Sequence, residues 1–162
     1  MTRSDANRKD ELRELYRELI LDHAKSPRHF GKLADSTHFA EGINPLCGDK
    51  LKMYFRVSTH GKINDASFEG SGCAISVASA SLLIDTIIGM HTDEALRFFD
   101  ALVASLSING DIDRNATKQI DLGKLRALQG VKEFPARVKC ASLAWHALNS
   151  AIHQGAQPVT TE

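Results

Sequence analysis

Residues 51–57 alternate without a break. Leu51, Met53, Phe55 and Val57 are apolar, and Lys52, Tyr54 and Arg56 between them are polar or amphipathic. A period of two puts the first set on one face of an extended chain, so residues 50–58 are expected to form a strand with one face on a core and one in water. His60-Gly61 follows as a turn, Ile63–Glu69 reads as a return strand, and residues 37–42 read as a short strand before it. The expectation is an antiparallel meander of three strands.

The rest of the chain carries helical signals. Leu12, Leu15, Tyr16, Leu19 and Ile20 recur at helical spacing within residues 7–25, and Pro27 stands just beyond the end. A second helix is expected over Ala74–Ile88, stopped by Gly89, and a third from Thr92 as N-cap, with Asp93 and Glu94 in its first turn. Leu122, Leu125 and Leu128 suggest a short helix over 121–129. The last helix opens at Phe134-Pro135 and runs to about His153, with Val138, Ala141, Trp145, Leu148 and Ile152 as its buried stripe. Residues 108–120 are polar, with a turn at Asn109-Gly110, and the tail 155–162 is expected to be loose. The predicted fold is therefore α+β: a three-stranded antiparallel sheet packed against about five helices, in a single domain over 1–162.

The 162 residues are 43% hydrophobic and 25% charged, enough to bury one core without cross-links. Lys+Arg and Asp+Glu both number 20, so no excess charge favours nucleic acid or an anionic membrane. The apolar stretch Val77–Met90 is broken by Asp85 and serines, and Met1–Asn7 holds no signal core. A cytoplasmic protein is expected.

An odd number of cysteines, three, does not make a disulfide framework in a reducing compartment. Each alone could be a small buried hydrophobe. Their positions argue otherwise. Cys47 lies in the turn Asn44-Pro45-Leu46-Cys47-Gly48-Asp49 that enters the second strand. Cys73 follows Gly70-Ser71-Gly72 at the start of a helix, and Cys140 is expected in the first turn of the last one. All three thus sit where elements end and side chains from distant segments can meet. Helix N-termini and nearby cations favour thiolate, and Arg137 and Lys139 precede Cys140. Three thiolates and the Asp49 carboxylate around a divalent ion keep a net negative charge, which calls for cations beside them. Sulfur donors in a four-ligand set point to zinc, with an iron–sulfur cluster second. There is no Cys-x-x-Cys pair, so the site is not a ribbon or a finger. A purely structural zinc site is usually closed by Cys and His, so a carboxylate suggests a coordination sphere able to open. Gly70-Ser71-Gly72 lacks the remaining glycine of a dinucleotide loop, because position 75 is Ile, and no H-E-x-x-H or G-x-S-x-G occurs.

Leu21-Asp22-His23 with Ser26-Pro27-Arg28, Asn44 to Asp49, Phe68 to Ser76 with Ala78 to Ser81, Leu128 to Val131, and Phe134 to Ala141 together resemble the IscU-like iron–sulfur scaffold superfamily. The long interval between Cys73 and Cys140, and Lys139 in place of a histidine before the last cysteine, are similar to its SufU branch. The resemblance implies a zinc-dependent sulfurtransferase that works with a PLP-dependent, SufS-like cysteine desulfurase and with downstream iron–sulfur assembly proteins. It implies zinc ligation by Cys47, Asp49, Cys73 and Cys140, and Arg137 and Lys139 as cations beside them. It further implies that Cys47 leaves the metal to take up persulfide sulfur. The alternatives are a scaffold on which an iron–sulfur cluster is built and passed on, and a structural zinc module that docks other proteins.

Overall fold

The computed structural model describes residues 3–106, 121–155 and 157–160. The polar stretch 108–120, with its expected turn at Asn109-Gly110, lies outside them. The sheet is built from β1 (His38–Asn44), β2 (Asp49–Val57) and β3 (Ile63–Ser71), paired antiparallel. In β2, Asp49, Leu51, Met53 and Phe55 are buried while Lys50 and Lys52 are exposed, so the sequence alternation is the alternation of the two faces. Met53 sits at the centre, opposite Ala40 on one side and Phe68 on the other.

The expectation of three antiparallel strands needs correction. A fourth strand, β4 (Val159–Thr160), pairs parallel to β1, and the sheet is mixed with order β3-β2-β1-β4. Its two residues lie in the tail expected to be loose, and two residues are too few to show an alternation. Their pairing depends on where the preceding helix releases the chain, which is a tertiary matter.

Four α-helices and one 3₁₀ segment are present among the described residues: α1 (Arg3–Lys25), α2 (Ala74–Ile87), α3 (Thr92–Leu106), the 3₁₀ segment (Gly123–Glu133) and α4 (Pro135–Ile152). No helix among them is long and apolar enough to cross a membrane. Helix α2 is the central post. Its small residues Ser76, Ala78, Ser79, Ala80 and Ser81 are buried, as are Leu82, Leu83, Ile84 and Ile87. Small side chains let neighbouring backbones come close, and the Ser79 hydroxyl donates to the Ala141 carbonyl of α4 at 2.5 Å. Helix α4 also lies against β1, where a Cβ at Gly42 would come within 3.0 Å of Leu143 Cδ1. Trp145 of α4 is fully buried and is among the largest side chains of the core.

Two helix expectations shift. The stripe read on α1 is buried only in its second half. Ile20 and His23 are enclosed and Tyr16 and Leu19 pack at the edge, but Leu12 is 47% and Leu15 61% exposed. Helical period reports an apolar face, not what covers it. The N-cap of α3 is His91, not Thr92. Thr92 is already helical, and the Asp93 N–H donates to His91 Nδ1 at 3.1 Å. His91 is fixed there by a bridge to Lys62, which sets where the helix can begin.

Candidate metal centre

The β1–β2 hairpin reverses over residues 45–48, between the facing pair Asn44 and Asp49. Gly48 takes a left-handed φ of +71°, a conformation that glycine adopts without a Cβ clash. This bend leaves Cys47 half-exposed on the loop while Asp49, the first residue of β2, turns fully inward. Strand β3 then runs back and ends at Ser71, and at Gly72 just beyond it a Cβ would lie 2.9 Å from Asp49 Cγ. The absent side chain lets the carboxylate reach past, and Asp49 Oδ1 accepts the backbone N–H of Cys73 at 2.8 Å. Cys73 is the N-cap of α2 and has no side-chain cap of its own, so Asp49 brings negative charge to the positive end of that helix.

Cys140 reaches the same place from α4. It lies in the second turn of that helix rather than the first, because Pro135 is the first helical residue. It is fully buried, and its Sγ is 3.4 Å from Cys47 Sγ. One donor atom each from Cys47, Asp49 and Cys140 fall within 4.8 Å of one another. Cys73 stands at the edge of this group, its Sγ 3.9 Å from Asp49 Oδ2. The four residues singled out from the sequence thus come together from three separate segments. Arg137, one turn before Cys140, joins them. A hydrogen bond to Cys140, followed by the charges of Cys73, Cys140 and Cys47, pushes its pKa above the ordinary value. Lys139 is half-buried on the same helix, and among the described residues no hydrogen bond or ion pair joins its side chain to the cluster.

Burial first, then hydrogen bonds with Cys47, Asp49 and Cys73, push the Cys140 thiol well above the usual thiol range. Without a cation the cluster therefore keeps a proton on its most enclosed sulfur. A divalent ion removes that demand by supplying the missing positive charge. The donor set and spacing fit zinc. Zinc–sulfur bonds of about 2.3 Å in a tetrahedron set sulfurs about 3.8 Å apart, near the 3.4 Å between the Cys47 and Cys140 sulfurs.

Asn44 escaped the sequence reading as a site residue, although it stands in the same motif. Its fully buried amide Nδ2 is 3.5 Å from Cys140 Sγ. A polar residue three positions before a candidate ligand was the available signal. That β1 ends with this side chain turned inward could be seen only in the fold.

Comparison with known proteins gives a consistent picture. A profile described as the NifU-like N-terminal domain matches residues 15–141. The zinc-dependent sulfurtransferase SufU of Bacillus subtilis (strain 168) is 41% identical over 85% of this chain and 89% of its own length. The iron–sulfur cluster assembly scaffold protein IscU of Thermotoga maritima is 39% identical over 89% of this chain and 96% of its own. Among solved structures, a protein of thermophilic Fervidobacterium islandicum AW-1, described as an iron–sulfur cluster assembly scaffold of the SUF system, superposes with a TM-score of 0.74. It is 36% identical, and the match covers 83% of this chain and 94% of that one.

Proposed function

Because the chain belongs to the NifU-like N-terminal domain family, the family of the IscU and SufU proteins, we propose that it is a zinc-dependent sulfurtransferase of iron–sulfur cluster assembly. It takes persulfide sulfur on Cys47 from a PLP-dependent cysteine desulfurase in the cytoplasm. The observation that carries this reading is a contrast within the cluster: Asp49 and Cys140 are enclosed, Cys73 is half-exposed but faces the Asp49 carboxylate at the start of α2, and Cys47 is half-exposed on a hairpin loop. A partner can reach that sulfur without unfolding anything.

Cys47, Asp49, Cys73 and Cys140 would hold the zinc, which supplies charge that keeps the thiols as thiolates. The transfer itself is thiol–disulfide exchange. The Cys47 thiolate attacks the outer sulfur of the partner's persulfide, a new Cys47 Sγ–S bond forms, and the partner's own cysteine leaves as thiolate. No net oxidation occurs. Arg137 at the exposed side of the cluster offsets negative charge on the transferred sulfur, and Asp49 holds the Cys73 backbone in place throughout.

Cysteine desulfurase turnover, measured with and without the zinc-loaded protein, tests the reading. The wild type is expected to raise turnover, and Cys47→Ser to bind the desulfurase yet leave turnover at its basal level. Full stimulation by Cys47→Ser would overturn the assignment. The second reading is a scaffold on which an iron–sulfur cluster is assembled. The likeness to the Thermotoga scaffold favours it, as does a donor set of three thiols and one carboxylate, which leaves a cluster labile. Transfer of an intact cluster to an apo-protein, without stimulation of the desulfurase, would decide for it.

A further inference from the structure

We propose that Asn44 is the positioning residue that decides which sulfur of the cluster stays: its amide holds Cys140 and so leaves Cys47 as the sulfur free to react. The inference rests on the metal-centred sulfur-acceptor reading above and extends it to a residue that takes no part in the transfer itself.

Asn44 is the last residue of β1, faces Asp49 across the hairpin, and is fully buried. Its Nδ2 lies 3.5 Å from Cys140 Sγ, and its Oδ1 has no hydrogen-bond partner among the described residues. A buried amide kept for packing alone would bond at both ends, or give way to leucine, which fills a similar space without a carbonyl to satisfy. An amide with one end idle and the other on sulfur is explained by that sulfur.

The three sulfurs differ in what surrounds them. Cys140 is enclosed and receives the Asn44 N–H, with the Ala136 carbonyl 3.8 Å away. Cys73 faces the Asp49 carboxylate. Cys47, half-exposed, meets only the Cys140 sulfur among the hydrogen-bond contacts found for it in the described residues. A hydrogen bond to a thiolate draws charge from the sulfur, strengthens its hold in place and weakens it as a nucleophile. Of two sulfurs 3.4 Å apart, the bonded and buried one is the poorer nucleophile, and the hairpin sulfur is the one left reactive.

The test uses cobalt(II) as the metal probe in the full chain, with Asn44→Ala and Asn44→Leu. The thiolate-to-cobalt charge-transfer band reports on sulfur electron density. Iodoacetamide labelling of the loaded protein, read cysteine by cysteine by mass spectrometry, reports which sulfur reacts. Both variants are expected to move the band to lower energy and to raise Cys140 labelling relative to Cys47 about tenfold, the factor set by one hydrogen bond to a charged group. Asn44→Leu separates this from packing, because it restores the volume but not the donor. A leucine variant with the wild-type band and labelling pattern would overturn the proposal. If the wild type takes up no cobalt, the metal-centre reading falls and this inference with it. If the wild type takes up cobalt and the variants match it, only this inference falls.

Discussion

The Asp49 carboxylate accepts the backbone N–H of Cys73 at 2.8 Å, so the first residue of β2 caps the helix that starts where β3 ends. One side chain thereby joins the hairpin that carries Cys47 to the helix that carries Cys73. The bond is possible because position 72 has no side chain.

Gly72→Ala places a Cβ 2.9 Å from Asp49 Cγ and 3.0 Å from Asp49 Cβ. Asp49 Cβ is fixed to the backbone of a central strand, and the nearest atom is the carboxylate oxygen Oδ1, which can move away only by giving up its bond to the Cys73 N–H. The variant is expected to lose about 1–3 kcal/mol of stability through overpacking and to bind less than stoichiometric zinc. Thermal unfolding together with metal analysis checks this. Unchanged melting with full zinc content would show that the close approach is not required.

Zinc is expected to raise the melting temperature, because the four donors converge only in the folded chain. A free zinc concentration one hundred times Kd adds about 2.7 kcal/mol by mass action, and a chelator should reverse the shift. Cys140→Ser, which removes the enclosed sulfur at the centre of the group, should abolish most of the response. A melting temperature indifferent to zinc in the wild type would remove the metal from the account.

Acid sensitivity should come from two histidines, His23 fully enclosed and His146 half-buried. His23 Nδ1 lies 2.7 Å from Ser81 Oγ, which also accepts the Arg28 backbone N–H at 2.8 Å. That geometry suits a neutral ring accepting the Ser81 proton. Burial, then the Arg28 charge, hold its pKa below the ordinary 6.5, against the opposing pull of Asp22 and Asp85. Burial does the same to His146, whose ring meets Phe99 edge-on. Below pH 6.5 the unfolded chain takes up protons at these residues that the folded chain refuses. Stability should therefore be full above that pH and decline as pH falls from it toward the lowered values. Urea unfolding of the metal-free protein at about pH 7.5 and 5.5 measures the effect, and His23→Gln should flatten it. Stability that holds or rises on acidification would contradict the burial of neutral rings.

Local pattern and tertiary arrangement divided the work in this protein along physical lines. Strand β2, the return strand β3 and the bodies of α2 and α4 are determined by the sequence itself. Alternation, helical period, and glycine or proline at the ends act within a few residues, and Leu51, Met53 and Phe55 leave little freedom of face. The sequence also placed Cys47, Asp49, Cys73 and Cys140 at the ends of elements. Whether those ends meet was decided only in three dimensions, by the β1–β2–β3 register, the missing side chain at Gly72 and the approach of α4 to β1 at Gly42 and Leu143. The same holds for Asn44 turning inward, for His91 taking the cap expected at Thr92, for the parallel strand β4, and for Leu12 and Leu15 left in solvent. Each depends on what a residue faces across a long sequence interval, and periodicity along the chain carries no record of that.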